Sequence, residues 1–217
     1  MLPRLAAALL SFGFLTAPVV AEARFAEAPP PAAVVEATPT GEAMPARWVE
    51  APSQAQVISA LKARRAKNLK AFRTYRKGGV YPHNFVRRGP LNVWMDRDGH
   101  LCAAATMIDK DGKHDLVIQT ANTNNALRLL DVTEGDLMSW ILTSGFTIEE
   151  IDRIQAPMVL PDEMRMPNFA LEDAKLAAGY AKTDTWLVKR EKASLEIAAK
   201  RLMENPELAR QLVEGGV

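Results

Sequence analysis

TEGDLMSWILTSGFTIEEIDRIQ, residues 133–155, is the stretch that specifies the fold most clearly. The apolar residues at helical spacing in its first half are Leu137, Trp140 and Ile141. They predict a helix over 134–144, which Gly145 ends. Thr147 and Glu150 then form a capping-box pattern, which predicts that a second helix begins directly after the threonine.

Upstream of this stretch, turn signals separate short apolar runs. An Asp-x-Asp-Gly turn at 96–99 joins the apolar runs 91–95 and 101–108, and Asp-Gly between two such runs is typical of a hairpin. A third strand is predicted at 127–130 and a short helix at 115–121. The fold class we expect is α+β, with a small antiparallel sheet of about three strands packed by helices.

Further helices are predicted on both sides of this unit. Ser53 is a plausible N-cap for a long helix over 54–77, which a Gly-Gly pair ends. The predicted domain therefore covers 53–166. A helical C-terminal extension follows over 167–217, with helices at 171–180 and from about 184 to 204, and a last one that begins at an Asn-Pro pair.

The N-terminus carries an export pattern. Residues 1–23 combine a short basic start, an apolar run and Ala21-Glu-Ala23, which is the pattern of a signal peptide. The apolar run is shorter than the ~20 residues of a spanning helix. Residues 24–52 are rich in proline and alanine and predict an extended tether. We expect an exported protein, periplasmic or extracellular, with no transmembrane span after signal removal.

Three residues offer the strongest candidates for chemistry: His100, Cys102 and His114. On a strand, His100 and Cys102 would share a face. A neighbouring imidazole could then activate the thiol as a nucleophile, or the three side chains could hold zinc. The leading interpretation is a buried structural cysteine, because small residues follow it and free cysteine is usually buried.

The two Asp-Gly turns, at 96–99 and 109–112, do not fit a calcium loop. Aligning each glycine with the sixth position of such a loop places Trp94 or Met107 at the first ligand position, and neither side chain can bind the ion. Hairpin turns explain both motifs without an ion. For the chain as a whole we expect no cofactor and no metal.

The predicted helix over 54–77 is strongly basic, although the whole chain has a net charge of only +1. No acidic residue occurs from Ala51 to Met95. The candidate binding residues on this helix are Lys62, Arg65, Lys70, Arg73, Arg76 and Lys77. They could dock on an anionic envelope component or on another protein, whereas export argues against nucleic acid. The alternative is a solvated face, partly neutralised by the acid-rich segment 131–163.

Several short patterns together resemble a group of uncharacterised exported bacterial proteins. They include Asp98-Gly-x-x-Cys-Ala103 and Trp140-Ile-Leu-x-Ser-Gly-x-Thr-x-Glu-Glu150. The resemblance covers about 65–157 and implies export and a domain over that region. It implies no activity.

The function that these patterns favour is a non-enzymatic binding or structural domain of the cell envelope. No Gly-x-Ser-x-Gly, His-Glu-x-x-His or phosphate-loop motif is present, and such motifs would have indicated an enzyme. The alternative is a Cys102-dependent enzyme, hydrolase-like or redox, or a Cys/His metal site.

Overall fold

The computed structural model describes residues 51–160 and 169–215. The predicted signal peptide and nearly all of the predicted tether lie outside these residues, as does the predicted domain boundary at 166. The helices are α1 (Gln54–Gly78), α2 (Ala103–Lys110), α3 (His114–Asn124), α4 (Gly135–Thr143), α5 (Ile148–Ile154), α6 (Phe169–Met203) and α7 (Pro206–Glu214). The strands are β1 (Gly89–Leu91) and β2 (Met158–Leu160), and a 3₁₀ turn covers Leu129–Asp131.

Helix α1 confirms the prediction closely. The Ser53 side chain accepts a hydrogen bond from the Gln56 backbone N–H, and the Gln56 side chain accepts one from the Ser53 backbone N–H. This reciprocal box satisfies two of the N–H groups that a helix start leaves open. Gly79 ends the helix at φ 67°, a left-handed conformation that glycine adopts without steric cost.

The predicted sheet is partly wrong. In the described residues the molecule is predominantly helical, and its sheet has two antiparallel strands, with Pro90 opposite Val159. The predicted strand over 101–108 is helix α2 for most of its length. Three consecutive alanines, the strongest helix formers, stand in its first turn. A short apolar run does not by itself distinguish a buried strand from a buried helix.

The remaining strand predictions also change. The run 91–95 contributes Leu91 to β1, and an isolated antiparallel bridge joins Met95 to Leu101. The Asp-Gly turn between them therefore does reverse the chain. The third predicted strand, at 127–130, overlaps the 3₁₀ turn.

The C-terminal helices pack against α1. The two helices predicted at 171–180 and 184–204 are one continuous helix, α6, of 35 residues. One hydrophobic cluster brings Phe72 of α1 together with Tyr180 of α6. A second cluster brings Leu61 of α1 together with Leu202 of α6 and Leu212 of α7.

The stretch 133–155 folds into α4, a tight turn and α5. The capping box of Thr147 and Glu150 is confirmed. Helix α4 begins one residue later than predicted, at Gly135. Gly145 has φ +82°, and a Cβ built on it would lie 2.4 Å from the backbone oxygen of Leu61. The turn therefore presses directly on α1.

None of the helices in the described residues is long and apolar enough to cross a bilayer.

Candidate functional site

Cys102 is a buried helix cap. It is 1 % exposed, and its Sγ accepts a hydrogen bond of 3.5 Å from the backbone N–H of Ala105 at the start of α2. Burial raises the pKa of the thiol to about 11, against the opposing effect of nearby backbone N–H groups. A thiol with this pKa is almost fully protonated near neutral pH and is a poor nucleophile.

The two histidines of the predicted cluster each contact an aspartate of a neighbouring turn. The His100 Nδ1 lies 3.0 Å from Asp96 Oδ2, and the His114 Nδ1 lies 2.8 Å from Asp109 Oδ1. In the described part of the chain, no group of three side chains within metal-binding reach of one another contains Cys102 or His114. The structure does not bring the three predicted residues together as a set of ligands.

His100 instead joins Asp96 and Asp98, whose candidate ligand atoms lie within 4.8 Å of one another and of the imidazole. Asp96 is already an acceptor for the backbone N–H groups of His83, Asp98 and His100, at 2.9 to 3.2 Å. Burial raises the pKa of Asp96, and these donors outweigh it, so the net pKa is lowered. The Asp96 carboxylate therefore holds the turn at 96–100 together.

Two buried tyrosines lie beside the thiol, a feature that the sequence analysis did not identify. The rings of Tyr75 and Tyr180 meet edge to face at 5.6 Å between centroids. Neither hydroxyl has a hydrogen-bond partner among the described residues. Burial raises the pKa of both phenols, and the neighbouring Cys102 contributes to the rise. The group is neutral and belongs to the core.

The basic residues of α1 divide into two kinds, and Arg65 is the clearest of the buried kind. It is 1 % exposed and makes two hydrogen bonds of 2.8 Å to the fully buried Glu150. It also donates to the backbone oxygens of Gly145 and Leu187. The Ser194 Oγ donates to the same Glu150 carboxylate at 2.7 Å. Arg65 therefore joins α1, α5 and α6 and is not available to a partner.

A second ion-pair cluster occupies the other two arginines. Arg73 Nε and Arg76 Nη2 lie 2.9 and 3.1 Å from the carboxylate of Asp184 on α6. These pairs join α1 to α6 near the C-terminal end of α1.

The sequence does contain a signal for the burial of Arg65. This residue stands four residues after Leu61 and four before Leu69, a spacing that places it within the apolar stripe of the helix.

The three lysines of the predicted set remain on the surface. Lys62, Lys70 and Lys77 are all exposed, and within residues 51–160 and 169–215 none of them has a carboxylate within salt-bridge distance. At 100° per residue they fall within about 80° around the helix axis. Lys70 and Lys77 lie opposite the buried residues, and Lys62 lies at the edge of the exposed side. We call these three residues the lysine row.

Comparison with known proteins gives no further guide to this site. No protein-family model, curated protein or solved structure matches the chain. The resemblance to exported bacterial proteins therefore stays a prediction.

Proposed function

We propose that this chain is an exported, non-enzymatic binding domain of the cell envelope, and that the lysine row of α1 is its surface for an extended anionic partner. The observation that carries the proposal is the exposure of Lys62, Lys70 and Lys77 without carboxylate partners in the described residues. The neighbouring arginines stabilise the fold, which leaves the lysines free for contacts outside the chain.

The spacing of the row indicates the shape of the partner. At a rise of 1.5 Å per residue, Lys62 lies about 12 Å from Lys70, and Lys70 lies about 10 Å from Lys77. These separations are close to the Debye length of ~10 Å at 0.1 M salt. From Lys62 to Lys77 the row spans about 22 Å, so a single small anion cannot contact all three lysines. A charged polymer or a surface of anionic headgroups can.

The alternative, an enzyme that depends on Cys102, has less support. Its nucleophile would be buried, with a pKa raised to about 11, and the candidate histidines His100 and His114 contact aspartates instead. A reactive cysteine needs a partly exposed, electropositive setting.

The test compares two triple variants of equal net charge. Lys62, Lys70 and Lys77 are changed to Gln in one protein, and the exposed Lys189, Lys192 and Lys200 of α6 are changed to Gln in the control. Binding to vesicles containing an anionic phospholipid, and to a soluble acidic polysaccharide, is measured by sedimentation. A lysine near an anionic surface contributes about 1 kcal/mol, so we expect the row variant to lose about 100-fold in affinity.

The control variant should keep most of its binding, and the wild-type affinity should fall steeply as the salt concentration rises above 0.1 M. Equal losses in both variants would mean that binding depends on net charge alone. Absence of binding at low salt would contradict the proposed surface.

Export is tested separately, by the N-terminus of the mature protein. The signal pattern ends at Ala23, so protein purified from an exporting host should begin near Arg24. A soluble cytoplasmic product that still begins at Met1 would contradict export.

A further inference from the structure

A groove between β2 and α6 lies outside the surface proposed above. It has a volume of about 430 Å³. This size falls within the ~300–1,000 Å³ typical of small-molecule sites. Ala156, Pro157 and Leu176 contribute apolar lining.

Gly179 of α6 is the most unusual residue in the groove. It stands in the interior of a 35-residue helix, where glycine costs about 1 kcal/mol relative to alanine. A Cβ built on it meets no atom within 4 Å. Packing within the described chain therefore does not require a glycine at this position. Because Gly179 has no side chain, the groove stays open there.

Gly179 lies between two exposed lysines on one face of the helix. Lys175 precedes it by four residues and Lys182 follows it by three, the spacings of side chains on a common helix face. Both lysines line the groove, and neither has an ion-pair partner in the described ranges. The missing side chain leaves the helix surface between the two lysines uncovered.

A third cation lines the groove and is held in place. The Arg153 guanidinium stacks over the Trp186 ring at 4.6 Å from its centroid, and Arg190 stacks at the same distance. A ring contact orients Arg153 without neutralising its charge. The acidic lining residue Glu172 uses its Oε1 to accept a hydrogen bond of 3.1 Å from the Val159 backbone N–H.

We infer that this groove binds a small monomeric carboxylate with an aliphatic tail. The carboxylate lies between Lys175 and Lys182, and the tail covers the apolar lining at Ala156, Pro157 and Leu176. Cations beside apolar surface are complementary to an amphiphilic anion. Lys175 and Lys182 are seven positions apart, whereas the lysine row extends over fifteen positions from Lys62 to Lys77, so the two sites differ in the size of the ligand they take.

The test is calorimetric titration of the purified protein with octanoate, with acetate and 1-octanol as probes of charge alone and tail alone. We expect saturable binding of one octanoate and much weaker binding of the other two. Changing Lys175 and Lys182 to Gln should weaken octanoate binding about 2- to 30-fold, the range for two exposed charge contacts. Changing Lys62 and Lys70 to Gln is the matched control and should leave the affinity unchanged.

Gly179→Leu tests the open space directly. The larger side chain fills the groove, and it should not unfold the protein because leucine favours a helix more than glycine does. We expect an unchanged or higher melting temperature together with at least a tenfold loss of octanoate binding. Octanoate binding that survives in both variants would overturn the inference, as would an absence of saturable binding in the wild type. Neither result would affect the vesicle test of the lysine row.

Discussion

Glu149 and Glu150 are adjacent in sequence, yet the structure predicts that the same substitution lowers the free energy of unfolding much more at Glu150 than at Glu149. Glu150 is fully buried and pairs with Arg65 through two hydrogen bonds of 2.8 Å. The Glu149 side chain is 63 % exposed and pairs with Arg190 at 3.1 Å. Glu150→Gln keeps an amide that can still serve the capping box, but it leaves the Arg65 charge buried without a counterion.

The magnitudes follow from burial. Removing one partner of a buried ion pair costs about 3–5 kcal/mol, whereas an exposed pair contributes about 0.2–1 kcal/mol. For a domain of this size, 1 kcal/mol corresponds to about 2–4 °C in melting temperature. Glu150→Gln should therefore lower the melting temperature by about 6–20 °C. Glu149→Gln should lower it by no more than about 4 °C.

A double-mutant cycle isolates the charge contribution. Arg65→Met alone leaves Glu150 buried without its counterion, and the double variant with Glu150→Gln removes both charges. Because Arg65 and Glu150 contact each other, the double variant should cost about 1–3 kcal/mol less than the sum of the singles. The free energy of unfolding is measured by urea titration at neutral pH, with thermal melts alongside. Equal effects of the two glutamate substitutions, or strict additivity in the cycle, would refute the reasoning.

Three further outcomes are expected. Gly145→Ala should lower the free energy of unfolding, measured by urea titration, by about 2–5 kcal/mol, because the backbone there is left-handed and closely packed. Gly112→Ala is the control, since Gly112 has φ +88° and open space around it, and it should lower that free energy by only about 1–2 kcal/mol. Similar losses in the two variants would contradict the close approach at Gly145. Cys102 should react with a thiol reagent far more slowly in the native state than in denaturant, since burial raises its pKa to about 11. The Cys102→Ser variant should be about 1 kcal/mol more stable than Cys102→Ala, because serine is a good helix N-cap. The pKa of Asp96 is lowered in the folded protein, so its carboxylate stabilises the fold above the ordinary pKa of 3.8. This stabilisation is lost as the pH falls through the lower pKa of the folded state. Asp96→Asn should therefore flatten the acid side of a curve of unfolding free energy against pH.

Local signals in the sequence predict the helices well and the sheet poorly. Ser53, Thr147 and Asn205 all cap helices through their side chains, as their patterns indicate. Caps depend on neighbours within one turn, so sequence contains the necessary information. The run after Cys102 is short and mostly apolar, so its pattern does not distinguish strand from helix, and its three alanines are the local signal that favours the helix.

At the candidate site, too, local sequence predicts some features and contacts between distant residues decide the others. The basic character of α1 is evident from composition, but the separate roles of Arg65 and Lys62 depend on contacts with residues far along the chain, such as Glu150. The pairing of Arg73 with Asp184 likewise joins residues 111 positions apart. Long-range pairing of this kind leaves no local pattern in the sequence. The sequence therefore predicts one charged face on α1, whereas the structure has an ion-pair interface with α6 and a separate, exposed lysine row.

The packing of α1 on α6 has a consequence for the order in which the molecule folds. Arg65 reaches a backbone oxygen 122 positions later, at Leu187, and both hydrophobic clusters draw on these two helices. Contacts between such distant segments form slowly, because a long loop must close before they stabilise anything. During synthesis α6 leaves the ribosome long after α1, so the core that the two helices share stays incomplete until synthesis is nearly finished. Such a delay is compatible with the export that we propose.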